Sequence, residues 1–477
     1  MSDSLPMRTK LAFGVGAMGE ASTNWIFNAL TFFYYNQILG LSGTLTGAAV
    51  FIGICFDAFS DPVVGSLSDR TRSRLGRRHP WMFAAPLPVI ASIFFIYHPP
   101  DGLSEWSLFA WFMCFLIMMR LSITLFAVPH LALGAELSDD YLERSRVMSY
   151  NNIFTYAGVV TMHVVVWFLI FPSYENGRMQ QEAYLPMIMF GCALIVVSIM
   201  ASAVATRDRI PLLSPAPTDL PPFKVRHLFL DIWATLQNRN YRYLLFGLFF
   251  LSVMIGTHET LGIYMGTFYW ELTDQQIGWL ILNNVFGYII GFVVAVRLHS
   301  SMDKRWTIVV SAVGLSIFWS SAVTLRLFDL APENTSWELV IFIIGFGTLA
   351  SASGSVINIS VMSALADIAD EHELATGRRQ EGIFYSARTF FAKASNGAGH
   401  VVAGIALDVI EFPARATVET LTEDQIFALG LIDGPFAMVW GLMAAVLYAG
   451  YRIDKDHHAD VQAKLKEKRE AKAGKPA

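Results

Sequence analysis

Twelve runs of predominantly apolar sequence, each about long enough to cross a lipid bilayer, recur from one end of this 477-residue chain to the other. They lie near 11–36, 43–68, 81–98, 107–134, 149–172, 184–206, 241–270, 275–298, 307–328, 337–366, 382–410 and 425–451. No other feature restricts the fold so strongly. Hydrocarbon offers the backbone no hydrogen-bond partner, so every run is expected to close its own bonds as a helix. Only 15% of the residues are charged, against about 25% in a soluble domain. Cys55, Cys114 and Cys192 all fall inside apolar runs, which predicts packing residues with no disulfide framework and no metal set. The polar start, MSDSLPMRTK, runs straight into the first span without the pattern of a signal peptide.

The connections sort by charge. Arg70, Arg72, Arg74, Arg77 and Arg78 crowd the second, while the first and third contain neither Lys nor Arg. The sixth carries Arg207, Arg209, Lys224, Arg226 and Arg239, the eighth Lys304 and Arg305, and the tenth Arg378 and Arg379. An excess of positive charge marks the cytoplasmic side, so both termini are expected there. The sixth connection is the longest, and its RIPLLSPAPTDLPPF cannot be helical. It predicts an N-terminal six-helix bundle over 1–206, a central cytoplasmic loop over 207–240, a C-terminal six-helix bundle over 241–451 and a charged cytoplasmic tail over 452–477. HLFLDIWATLQ is read as a surface-lying amphipathic piece. The tail, with KLKEKREAKAGKPA and the His457–His458 pair, is read as a solvated helix. Tyr34, Tyr35, Trp270, Trp306 and Trp337 stand at span ends, where interfacial aromatic belts belong. Six spans plus six around a long central loop describe an all-α membrane protein of the major facilitator superfamily fold, although direct repetition between the halves is faint.

Within the second span, FDAFSDPVVG places Asp57 and Asp61 four residues apart, hence on one helix face. A carboxylate at a helix centre costs about 2.5–3.5 kcal/mol to insert, and two side by side repel. Two arrangements are stable: a shared proton, or a cation held between the oxygens. Either makes occupancy depend on an ion. A third possibility is an ion pair with a buried base. Lys393, deep in ARTFFAKASNG, is the strongest partner, and Arg120, which shares a face with Thr124, is another. Glu20, Arg388 and the His258–Glu259 pair are the remaining ionisable groups at depth, the last either a proton relay or a hydrogen-bonded structural pair. His130 and His400 are read as pore-lining or packing residues.

Enzyme chemistry has no foothold. The chain carries no P-loop, no G-x-S-x-G elbow and no H-E-x-x-H, and its loops are too short for a catalytic domain.

With KLAFGVGAMGE, FDAFSDPVVGSLSDRTRSRLGRRHPW, VPHLALGAELSDDYLERSRVMSYNNIF and ALADIADEHELATGRRQEGIFYSARTFFAKASNGAG in hand, the chain resembles the glycoside–pentoside–hexuronide:cation symporters, the melibiose permease-like branch of the major facilitator superfamily. The resemblance runs along nearly the whole length. It implies that Asp57 and Asp61 bind Na+ or H+, that Ser60 and Thr124 complete the ligand set, and that Lys393, with Arg120 near it in role, supports coupling. Arg144 and Tyr150 fall where the family gates. The resemblance maps the family's sugar contacts onto Ala21, with Glu20 beside it, and onto Ala127, Leu131, Asn152 and Asn358; Glu20 and Arg388 are added to the expected substrate contacts, and several mapped positions lack the polar or aromatic groups that grip sugar hydroxyls. The resemblance therefore implies an importer of a small organic solute, a glycoside, sugar or sugar acid, with an amphipathic, lysolipid-like substrate as the alternative. The expected partners are that solute, the coupling cation and the bilayer of a bacterial inner membrane, with no cofactor, no nucleic acid and a monomeric state.

Overall fold

The computed structural model describes residues 5–213, 233, 235–377 and 381–473. The proline-rich centre of the sixth connection, most of HLFLDIWATLQ and Arg378–Arg379 lie outside those residues. The described chain is helical. The helices are α1 (Met7–Ile26, continuing through π-helical turns at Phe27–Thr31 and Tyr34–Ile38), α2 (Gly43–Arg70), α3 (His79–Tyr97), α4 (Glu105–Glu136), α5 (Tyr141–Ser173), α6 (Gln181–Leu212), α7 (Arg239–Tyr269), α8 (Asp274–Ser301), α9 (Lys304–Leu327), α10 (Trp337–Thr376), α11 (Glu381–Val409), α12 (Glu423–Tyr448) and the tail helix α13 (Lys455–Ala473). Ten of these are long and apolar enough to cross a membrane. The other two transmembrane candidates, α1 and α11, occupy the places expected for spans one and eleven. The starts follow capping chemistry: Asp140 accepts from the amide of Glu143 at α5, Asn238 from Tyr241 at α7 and Ser336 from Leu339 at α10, each satisfying an amide that the helix leaves open.

Clustering of contacts divides the chain into two compact units: Met1–Phe223 with Thr273–Gly278 and Ala403–Thr420, and Lys224–Leu272 with Trp279–Val402 and Leu421–Ala477. In the first, α1 packs on α5 and α6, α2 on α4, and α3 on α4 and α6. In the second, α7 packs on α12, α8 on α10, and α9 on α10 and α12. Adding six to α1–α6, α2–α4, α3–α4 and α3–α6 reproduces this set. The repetition that the sequence scarcely shows is plain in the packing.

Close approach in the first unit depends on glycine. A Cβ on Gly16 of α1 would stand 2.7 Å from both His130 Nε2 and Ser202 Oγ. His130 is accordingly a packing residue: its Nε2 bonds the carbonyl of Phe13 at 2.9 Å and its ring stacks on Phe13 and Phe126. The arginines of the second connection are structural as well as topogenic. Arg78, 4% exposed, donates from Nε to Glu136 at 3.0 Å and from Nη1 to Ser68 at 2.6 Å, and also bridges Asp69, so it ties α2 to α4. Lys10 and Glu143 form a buried pair at 2.7 Å, and Arg178 and Asp274 another at 2.6 Å.

Three expectations need correction. Tyr34 and Tyr35 are fully buried rather than interfacial, because their hydroxyls donate to the carbonyls of Tyr97 and Ile96 at 2.7 Å. Trp270 is likewise buried, beneath the Arg326 guanidinium, whereas Trp306 and Trp337 are half exposed. The tail helix is docked rather than solvated. Its Val461 and Leu465 are each 3% exposed, while His457 reaches Glu371 and His458 reaches Asp367 and Asp370, all at 3.3 Å.

Candidate cation and substrate site

The acid pair lies on α2, where Gly53 lets α4 come close: a Cβ there would meet Leu116 Cδ2 at 2.8 Å. This approach brings Thr124 of α4 to both carboxylates. Its hydroxyl oxygen stands 3.1 Å from Asp57 Oδ1 and 3.1 Å from Asp61 Oδ1. A threonine hydroxyl has one hydrogen, so it donates to one carboxylate at a time. Asp57 is 9% exposed and Thr124 only 1%. Two negative charges meet on one small neutral group in a poorly polarisable surrounding, where repulsion is strong.

The helix contributes too. Pro62 directly follows the pair and has no amide with which to bond the carbonyl of Ala58, one turn back. The Ser60 hydroxyl, 6% exposed, donates to the backbone carbonyl of Asp57 at 3.1 Å, so it lines its own helix beside the acids.

Arg120 is 7% exposed and turns toward α1. Its Nη1 donates to Asn24 Oδ1 at 3.0 Å and its guanidinium sits 3.9 Å from the centre of the Phe27 ring. Both carboxylates act on it through their field, while its hydrogen bond is spent on Asn24. Asp57, Asp61, Thr124, Ser60 and Arg120 are thus brought together within the first unit. Lys393 lies half-buried near the middle of α11 in the second.

The residues expected to meet substrate belong to both units. Glu20 on α1 and Ala127 on α4 are half-buried, while Leu131 of α4 is 57% exposed and Asn152 of α5 is also exposed. In the second unit Arg388 Nη2 makes a long contact, 3.4 Å, to Asn358 Oδ1. Arg144 braces the connection after α4, donating from Nε to the Ser138 carbonyl at 2.6 Å and reaching Asp139. Tyr150, half-buried, presents its carbonyl to Gly14 of α1, where a Cβ would stand 3.1 Å away. Among the described residues no group of three or more His, Cys, Asp or Glu could hold a metal. The oxygens of Asp57, Asp61 and Thr124 are instead hard donors, suited to a proton or a hard cation rather than a soft metal.

A family model described as MFS/sugar transport protein matches residues 12–455. The chain belongs to that family. It is a transport protein and not an enzyme, and several of its relatives are symporters by name. A symporter of Synechocystis, sll1374, is 25% identical with 97% of each chain aligned. The inner membrane symporter YicJ of Escherichia coli is 25% identical over 82% of this chain and 80% of its own. The mouse sodium-dependent lysophosphatidylcholine symporter 1 is 29% identical, over 33% of this chain and 30% of its own. Among solved structures, the nucleoside transporter NupG superposes with a TM-score of 0.62 at 13% identity, covering 93% of this chain and 99% of that one; at that identity the likeness concerns the fold.

Two intramembrane groups escaped the sequence reading. Asn24 is the hydrogen-bond partner of Arg120, and Asp433 pairs with His258, Nδ1 to Oδ1 2.8 Å. The sequence pairs His258 with its neighbour Glu259, whereas Glu259 accepts from Asn396 at 3.0 Å. Asp433 was legible: LIDGPF sets a carboxylate in an apolar run, the same signal that picked out Asp57 and Asp61.

Proposed function

We propose that this family member is a secondary symporter that imports a small organic solute with Na+ or H+, the cation being held by Asp57, Asp61 and the Thr124 hydroxyl. The observation that carries the reading is the meeting of two carboxylates, Asp57 buried and Asp61 half-buried, on one hydroxyl. Such a group is costly when its charges are unbalanced and becomes stable when a small positive particle neutralises it. Arg120, whose Nη1 is on Asn24 and whose guanidinium faces Phe27, tunes the cation's affinity through its field. Lys393 is the second positive charge assigned to coupling, and Arg144 and Tyr150 are assigned to gating. Basic even-numbered connections support an inner-membrane protein with both termini cytoplasmic.

A glycoside, sugar or sugar acid is the first substrate class, carried by the family description. A second reading, an amphipathic solute, is favoured by Ala127 and Leu131, which offer no polar group to a sugar hydroxyl, and by the similarity to a lysophosphatidylcholine symporter. Uptake into proteoliposomes under imposed sodium or proton gradients, with labelled sugars, sugar acids and lysolipids, tests both. Accumulation that follows one gradient supports symport, and flux indifferent to either gradient defeats it.

A further inference from the structure

The second unit contains a titratable couple that the cation site does not use. α12 breaks from α-helical to π-helical geometry over Ile432–Phe436, with Pro435 inside the segment. Wide turns of this kind frequently mark functional positions. Here the break carries Asp433, 4% exposed, to the imidazole of His258 on α7. The ring is held on its other side by Trp319 of α9, whose centroid is 4.2 Å away. Ser316 and Ser320 line the crevice around the couple.

From this geometry we infer that His258 and Asp433 form a proton-binding couple inside the C-terminal helices, distinct from the acid pair of α2. The charge count requires a proton. With one proton shared between ring and carboxyl, the couple is neutral overall, as an ion pair or as two uncharged groups. Without it a bare carboxylate remains within the span, a costly state. Histidine is the side chain whose ordinary titration range makes such an exchange accessible near neutral pH.

The other ionisable groups on the helices around the couple are engaged elsewhere or stand away from it along the sequence. Glu259, next along α7, accepts from Asn396 of α11. His400 of α11 bonds Thr260 through Nδ1. Tyr269 at the end of α7 lies within the field of Asp433, and Arg326 of α9 sits 4.2 Å from the Tyr269 ring centre with Nη1 on Asn334. Between Arg305 and Arg326 of α9, and between Glu338 and Asp367 of α10, no ionisable residue occurs. On α12 the nearest are Asp424 and Tyr448.

The test is an infrared titration of the full-length protein in lipid nanodiscs, from about pH 5 to about pH 9, with H258Q and D433N alongside the unaltered chain. We expect an imidazole band pair that interconverts reversibly, is lost in H258Q, and has its midpoint moved by at least about one pH unit in D433N, which keeps the side chain's size and removes its charge. The band should persist in D61N and stay put when sodium is added, so that failure of the cation site and failure of this couple are separable. A wild-type titration indistinguishable from that of H258Q overturns the proposal, as does a midpoint displaced by sodium. If D433N does not fold, the H258Q difference and the sodium arm decide the matter.

Discussion

Two carboxylate sites lie within the membrane-spanning helices, and they solve the same electrostatic problem in opposite ways. On α2, Asp57 and Asp61 face one another's charge with a neutral hydroxyl between them. In the second unit, Asp433 faces an imidazole at 2.8 Å. In the proposed function the first arrangement takes up a cation from solution, so its occupancy follows that ion. The second holds its own counter-ion in place and needs only a proton. Intramembrane carboxylates are costly: one of these meets an imidazole on a neighbouring helix, whereas the α2 pair converges on a hydroxyl, the arrangement to which the proposed function assigns the coupling cation.

Four substitutions break or sharpen that contrast. Asp61→Asn gives the largest effect: gradient-driven accumulation in proteoliposomes should drop at least ~100-fold, since one acid without its twin no longer depends on a cation for neutrality. Accumulation that survives would make the α2 pair structural, like the couple on α7 and α12. Thr124→Ala should weaken cation binding about tenfold, about 1.4 kcal/mol, as read by calorimetry, with Thr124→Ser restoring most of it. Arg120→Gln acts in the opposite sense. Removing a positive charge from the carboxylates' field should tighten cation binding about fivefold, on the order of 1 kcal/mol at the effective dielectric of a protein. Weaker binding would mean that Arg120 holds the site's shape through Asn24. Ser60→Ala should change cation affinity least, less than about threefold, because its hydroxyl is committed to a carbonyl of its own helix. A larger loss would restore the ligand role that the family resemblance implies.

The membrane-spanning architecture and the acid pair were legible because both depend on local pattern. Apolar runs announce helices, and acids four apart announce a shared face. What the sequence hid depends on which neighbour a side chain meets. Tyr34 and Tyr35 stand near a span end, where depth alone suggests an interface, yet α3 supplies the carbonyls that draw them inside. The docking of the tail rests on Val461 and Leu465, two apolar positions one turn apart in a charged segment, too narrow a stripe to register as an amphipathic face. Arg120 is the sharpest case. Its spacing from Thr124 predicted proximity to the acids, but the Phe27 ring and the Asn24 amide on α1 decide where the guanidinium points.

Pro62 carries one last implication. The amide it lacks is missing in every variant of the neighbouring side chains, so the lone pair of the Ala58 oxygen remains a source of negative potential written into the main chain. A protein stripped of both aspartates should therefore retain a weak residual attraction for positive particles at this depth, which exchange of Pro62 for alanine would diminish.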